Sequence, residues 1–386
     1  MPTAPAFDID LGPRLVFGDG AVHRLPELAD ELKARSILIV TDAGLVKAGH
    51  VSPVADEFRA AGSAVKVFDG VRENPSTSDV DRCAVVAREV EADLFIGLGG
   101  GSSLDTAKGA NFLLTNGGRM EDYWGHGLAK LPLRPMIAVP TTAGTGSEVQ
   151  SFALISQEGS HRKMACGDAS ARPKVAVLDP RLTISLPRPV TAQTGLDTMT
   201  HAVESFVTKK RNPVSCLYAK ESLRYFSASF ETVLGTPDDV VARGEMLLAA
   251  AFAGLAIEAS MLGAAHALAN PLTACFDLEH GRAVGLMLPS VVRFNSHDPE
   301  VASWYAELAT TAFGRGSTTE DLIARIGTWL DASDQPDSLV ACGVTSDRLG
   351  ELATLASEQW TGQFNPRPVD SAALEALYRS ASERAR

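Results

Sequence analysis

Asp197 and His201 stand four residues apart in Gly195-Leu196-Asp197-Thr198-Met199-Thr200-His201-Ala202-Val203-Glu204, a segment expected to be helical. That spacing puts both side chains on one helix face about one turn apart, able to grip a single ion. His266 and His280 follow, fourteen residues apart, the first in an apolar stretch and the second before Gly281 near an expected helix start. Three histidines and one carboxylate match a divalent transition metal, because imidazole suits iron, zinc, copper or nickel. A plainer reading stands beside this one. A lone histidine is commonly a satisfied core or surface group, and an Asp–His pair at this spacing can be no more than a hydrogen-bonded pair.

A second kind of chemistry is written in the first half. The run Leu94–Leu98 leads straight into Gly99-Gly100-Gly101-Ser102-Ser103-Leu104-Asp105-Thr106-Ala107-Lys108. A glycine cluster that opens a helix at a strand's carboxyl end lets backbone N–H groups and the helix dipole face a phosphate, because no Cβ intervenes. It is neither the G-x-G-x-x-G dinucleotide fingerprint, whose third glycine would fall on Leu104, nor a Walker A loop. A tight strand-to-helix turn would look the same. Pro140-Thr141-Thr142-Ala143-Gly144-Thr145-Gly146-Ser147-Glu148 follows another strand and offers hydroxyls and N–H groups to a nucleotide, or forms an ordinary Thr/Gly turn. Asp42, after the strand Ser36–Thr41, can accept from a ribose hydroxyl and repel a 2′-phosphate, favouring NAD over NADP; it would equally suit a helix N-cap.

The elements that must hold these groups change character along the chain. Short β-branched runs at Ser36–Thr41, Ala64–Phe68, Leu94–Leu98, Met136–Val139 and Val175–Leu178 alternate with helix-period stretches at Val22–Leu32, Val51–Ala61 and Thr77–Glu91. This predicts a parallel sheet wrapped by helices. From Val190 onward the sequence is Ala/Leu-rich with helix periodicity, and Pro187 and Pro189 mark the switch. The expected organisation is an α/β dinucleotide-binding domain over 1–186 and an all-helical metal and catalytic domain over 187–386, with ligands favouring the cleft between such domains.

Composition excludes several functions. With 386 residues, 45% hydrophobic and 21% charged, the chain is neither disordered nor a disulfide-stapled miniature. A net charge of −12 argues against nucleic acid as a partner. Five scattered cysteines with no C-x-x-C pair suggest neither a disulfide framework nor a thiolate zinc site, and fit a reducing cytoplasm. Met1 to Asp8 does not read as a secretory signal. The longest uncharged stretch, Ala259 to Phe276, contains His266, Asn270 and Pro271 and reads as a buried helix rather than a membrane span, so no membrane partner is expected.

Taken together the motifs resemble the iron-containing (group III) alcohol dehydrogenase family over almost the whole chain. The resemblance rests on Gly99 to Lys108, Pro140 to Glu148, Gly195 to Glu204, His266 to Pro289 (with Glu279-His280-Gly281 and Leu286-Met287-Leu288-Pro289), and Asn365-Pro366-Arg367-Pro368. It implies a dehydroquinate-synthase-like fold, an α/β nucleotide-binding domain plus an all-α metal-binding domain. It implies metal ligation by Asp197, His201, His266 and His280, and NAD contacts from Asp42, Asn74, Gly100, Gly101, Ser102, Thr141, Thr142, Thr145 and Lys163, the last in His161-Arg162-Lys163. The implied activity is hydride transfer between a small alcohol or aldehyde and NAD, with Fe(2+) or Zn(2+) polarising the substrate oxygen. Asn270 and His280 are the implied catalytic residues. Many members carry a second histidine four residues after the third ligand, where this chain has Asn270. Asparagine cannot exchange a proton near neutral pH, so the proton is expected to leave through bound water or a ribose hydroxyl. A homodimer or larger homo-oligomer through the extended segment Phe7–Phe17 is also implied. The competing readings are a metal-free maleylacetate reductase, which the four intact ligand positions oppose, a sugar-phosphate cyclase or lyase, and a non-enzymatic binding protein. The lyase needs a basic cluster, and the helical half offers only Lys209-Lys210-Arg211, read as a solvated helix end. Phe152, Leu262 and Trp360 are candidates for apolar lining or plain core.

Overall fold

The computed structural model describes residues 7–159 and 162–382. It falls into two compact units, one over Leu11–Leu186 and the other holding the chain from Pro187 onward.

The first unit contains β1 (Arg14–Phe17), α1 (Leu25–Glu31), β2 (Ser36–Val40), α2 (Ala43–Lys47), α3 (Val51–Ala60), β3 (Ala64–Phe68), α4 (Thr77–Glu89), β4 (Leu94–Gly99), α5 (Gly101–Asn116), β5 (Gly125–His126), β6 (Met136–Pro140), β7 (Phe152–Ser156), β8 (Lys163–Gly167) and β9 (Val175–Leu178). Six strands form a parallel sheet in the order β1-β9-β6-β4-β2-β3. The continuous apolar run Ser36-Ile37-Leu38-Ile39-Val40 shows why it is buried on both sides. Ile37 and Ile39 join a core with Leu25, Leu28 and Phe58, whereas Leu38 and Val40 join another with Cys83, Leu104 and Phe112. Period-two alternation thus feeds two helical layers.

Adjacency in the sheet brings the first-half motifs together. β4 lies between β2 and β6, and Gly99 pairs with Pro140 at the shared carboxyl end. Asp42, the glycine turn and the threonine loop therefore leave three neighbouring parallel strands on the same edge, the place where open α/β sheets bind ligands.

Three expectations are modified. The helix over Val22–Leu32 is a 3₁₀ turn (Ala21–Arg24) followed by α1, because Pro26 in the first turn has no N–H to extend a preceding ladder. Of Phe7–Phe17 only β1 is strand, and one of its edges is occupied by β9 of the same chain. A separate three-stranded sheet, β5-β8-β7, was not legible, since its strands are short and carry Gly, Ala or Ser where a β-branched run would have signalled them.

The second unit is helical: α6 (Arg188–Val207), α7 (Pro213–Gly235), α8 (Val240–Glu258), α9 (Ala264–Phe276), α10 (His280–Asn295), α11 (Pro299–Phe313), α12 (Thr319–Ala332), α13 (Leu349–Ser357) and α14 (Ser371–Ser382). Asn212, Asp239, Asp298 and Thr318 each accept first-turn N–H groups, caps that contribute about 1 kcal/mol apiece. Ala259–Phe276 is helical only from Ala264, because Gly263 caps a new helix there. Among the described residues one helix has the length and hydropathy to cross a membrane, α8, and 72% of that stretch is buried inside the protein. Lys209 and Lys210 are exposed in the turn that follows the end of α6, as a solvated helix end would be; Lys210 also covers the Phe364 ring, and the Arg211 guanidinium lies 4.1 Å from the centre of Trp304.

Candidate metal centre and cofactor loops

Three helices deliver the metal-ligand candidates. Asp197 and His201 share the buried face of α6, His266 lies in the first turn of α9, and His280 is the first residue of α10. Asp197 Oδ1 is 3.2 Å from His201 Nε2, 3.6 Å from His266 Nε2 and 3.9 Å from His280 Nε2. One ligand atom from each of Asp197, His201 and His266 lies within 4.8 Å of the others. The His201 and His266 rings are stacked 4.8 Å apart, and His280 stands 5.4 Å from His266. Gly281 makes the approach of α10 possible, since a Cβ there would fall 2.0 Å from Gln193 O and 3.3 Å from Asp197 Cβ.

The donor set fits a divalent ion. Asp197 Oδ1 and His266 Nε2 are buried, yet neither makes a hydrogen bond among the described residues. Two such atoms aimed at one point are costly unless something else satisfies them. Burial alone would raise the Asp197 carboxyl, but His201, His266 and His280 hold it well below the usual range. Burial pushes the His266 ring down, but Asp197 and Glu204 outweigh it and raise the ring to about 9. The pocket is thus built for positive charge.

Glu204 was not foreseen as part of this site. It lies seven residues after Asp197, two turns along the same face of α6, and that spacing was the available signal. It is buried and accepts from His266 Nδ1 at 2.6 Å, Ala265 N at 2.7 Å and Gly263 N at 3.1 Å. Asn365, from the C-terminal motif, meets the same helix start through Ala264 N and is locked to Asn295. Asn270, one turn beyond His266, donates to Gln359 Oε1 at 2.9 Å.

In the α/β unit the glycine turn and the threonine loop interlock. Gly99 has a left-handed φ of 152°, and a Cβ on it would meet Ser103 Oγ at 2.4 Å. Cβ atoms on Gly100 and Gly101 would meet Thr142 at 3.3 Å and Thr145 at 2.7 Å. These glycines are required for packing whether or not a phosphate binds. Gly100 caps α5, Ser102 lies in its first turn, and Thr141 N donates to Gly99 O. Asp42 caps α2 by accepting from Leu45 N, so its N-cap reading holds in the structure. Asn74 is exposed with φ 50°, and Lys163 opens β8 at the surface; its neighbour His161 lies outside the described residues. Phe152 packs against His126, whereas Trp360 is half-exposed and edges onto Phe364, so neither is plain core.

A buried ionic knot ties the two loops. Lys108 Nζ donates to Ser147 O, Ser147 Oγ and Phe152 O at 2.7, 2.8 and 2.8 Å, and Asp105 accepts from Ser147 Oγ and Leu154 N. Next to it, Glu148 is buried with Oε1 unpartnered among the described residues, and burial pushes its carboxyl up to about 7. The folded chain then holds that proton more tightly than the unfolded chain. Stability from Glu148 is fully present below the ordinary carboxyl value and is lost as pH rises through 7, by up to about 3 kcal/mol. Glu148→Gln is therefore expected to unfold at a higher temperature than the parent at pH 8, with the gap closing toward pH 5. A gap independent of pH in thermal melts would contradict this account.

A parallel α/β sheet with glycine and threonine loops at one edge, followed by a helical unit holding a buried carboxylate–imidazole cluster, has a dehydroquinate-synthase-like fold. Residues 12–180 match the family model for iron-containing alcohol dehydrogenase, and residues 191–382 match the C-terminal model of the Fe-containing alcohol dehydrogenase family. The chain is 33% identical over 370 residues to alcohol dehydrogenase 4 of Schizosaccharomyces pombe, covering 95% of this chain and 87% of the relative. It is 32% identical to the NAD-dependent methanol dehydrogenase of Bacillus methanolicus, covering 92% and 94%. A crystal structure of 1,3-propanediol oxidoreductase superposes with a TM-score of 0.92 at 33% identity, covering 98% of this chain and 100% of that one. The chain belongs to the iron-containing alcohol dehydrogenase family and is an oxidoreductase acting on CH–OH groups.

Proposed function

We propose that this protein is a metal-dependent, NAD(H)-linked dehydrogenase interconverting small alcohols and aldehydes, with residues 1–186 binding the dinucleotide and 187–386 carrying the metal and catalytic groups. The observation that carries the reading is the convergence of Asp197, His201 and His266 on one buried point, with His280 beside it. Those four residues would hold Fe(2+), the metal of the family's description, and the same donors suit Zn(2+). When bound, the ion supplies Lewis-acid polarisation of a substrate oxygen, and the nicotinamide supplies or accepts hydride.

The residues divide the remaining work. Gly100, Gly101 and Ser102 would offer the start of α5 to the pyrophosphate, and Thr141, Thr142 and Thr145 would donate from the adjoining loop. Asp42 uses Oδ1 as a cap, so a ribose hydroxyl would donate to Oδ2, which disfavours NADP. Asn74 would contact the adenosine end of the dinucleotide and Lys163 its ribose. His280 and Asn270 would act at the substrate end. The Asn270 amide, held by Gln359, can orient a substrate but cannot exchange a proton, so the proton would have to leave through bound water or a ribose hydroxyl. Relatives acting on methanol and 1,3-propanediol support short primary alcohols and diols as the substrate class. A homodimer or larger homo-oligomer in the cytoplasm completes the reading.

The test is metal content after anaerobic purification, paired with NADH formation from short primary alcohols with and without added Fe(2+) or Zn(2+). One equivalent of metal and metal-dependent NADH formation are expected. Metal-free protein that reduces oxo acids would replace this reading with a maleylacetate reductase, and bound metal without redox would replace it with a lyase.

A further inference from the structure

We propose that Glu204 is a positioning residue for the metal centre: its carboxylate sets the tautomer and aim of His266 while clamping the backbone that carries it. The inference rests on the metal reading above and adds a residue to it.

The two oxygens of Glu204 already accept from Gly263 N and Ala265 N, so in the 2.6 Å contact with His266 Nδ1 the ring nitrogen is the donor and a proton sits on Nδ1. Nε2, on the opposite side of the ring, is then aimed at the point it shares with Asp197 Oδ1, 3.6 Å away. A ring free to rotate or to switch tautomer would offer an N–H to the ion in part of its population. The same carboxylate accepts from Gly263 N and Ala265 N, so ring and backbone are referenced to one group on α6, the helix that also bears Asp197 and His201. Ligand-to-ligand distance is thereby set across 62 residues of sequence. The site leaves little slack, since a Cβ on Gly263 would meet Glu204 Oε1 at 2.8 Å. The burial of Glu204 is offset by its three hydrogen bonds and by the positive end of the α9 dipole.

Glu204→Gln keeps shape and volume but replaces an acceptor oxygen with a donor NH₂, which conflicts with Nδ1–H or a backbone N–H. The experiment titrates parent and Glu204→Gln protein with Zn(2+) against a chromophoric chelator, records the visible spectrum of the Co(2+) forms, and reads the ring ¹⁵N shifts of His266 in metal-free parent protein at a pH where the ring is neutral. The expected results are Zn(2+) affinity weakened about 10–100-fold, an altered Co(2+) spectrum, and the Nδ1–H tautomer in the parent. Unchanged affinity and spectrum in folded Glu204→Gln, or a neutral His266 protonated on Nε2, would overturn the proposal. If Glu204→Gln fails to fold, the tautomer in the parent decides. Should the parent bind no stoichiometric metal, the metal reading falls, and the tautomer still tests Glu204 separately.

Discussion

Asp197→Ala is expected to lose stoichiometric metal and to lower kcat/KM for alcohol oxidation by about a thousandfold or more. Among the described residues Asp197 is the one carboxylate that faces all three imidazoles, at 3.2, 3.6 and 3.9 Å. Without it three neutral rings must hold a divalent ion unaided, and the negative charge that draws the ion into a buried site is gone. Losing Lewis-acid stabilisation of a developing oxyanion costs several kcal/mol, and each 1.36 kcal/mol is tenfold in rate, so a thousandfold corresponds to about 4 kcal/mol. The fold should survive, because α6 is packed along its length by Leu196, Met199, Val203 and Phe206 rather than by the ligands. Metal analysis, circular dichroism and steady-state rates on the same preparation check all three statements. Full metal occupancy with parental kcat/KM would remove Asp197 from the centre.

Lys108→Met is expected to cause the largest loss of stability, about 3–5 kcal/mol, read as a lower urea midpoint. Lys108 is fully buried, and the three donors of its ammonium are matched by Ser147 O, Ser147 Oγ and Phe152 O. Methionine fills the volume but strands those acceptors and removes the cation 3.9 Å from Asp105, whose carboxyl burial already pushes up. The double variant Lys108→Met/Asp105→Asn should recover part of the loss, because the uncompensated buried acid is then gone. An unshifted midpoint in the single variant would mean the knot is structurally idle.

Much of this was legible because it depends on local periodicity. The strand Ser36–Val40 announces itself as a run with no polar face, and Asp197 and His201 announce a shared helix face by spacing alone. The small sheet gave no such signal, and Pro26 broke a helix whose apolar pattern ran straight through it. Lys108 closes the glycine-rich motif in sequence, and nothing in its neighbours says that Phe152, 44 residues on, will place a carbonyl against it.

Residue types and spacings by themselves determined the change from strands to helices between the two halves, the glycine and threonine loops, and the shared helix face of Asp197 and His201, since each is a property of nearby chain. Only tertiary structure decided that β4 and β6 are neighbours, so that two loops interlock at one sheet edge, and that α6, α9 and α10 meet with Gly281 at the crossing. It alone gave Glu204 and Asn365 their partners. The reason is physical: backbone geometry sets which side chains share a face, but whether a buried polar atom is satisfied depends on groups that distant parts of the chain bring to within 3 Å.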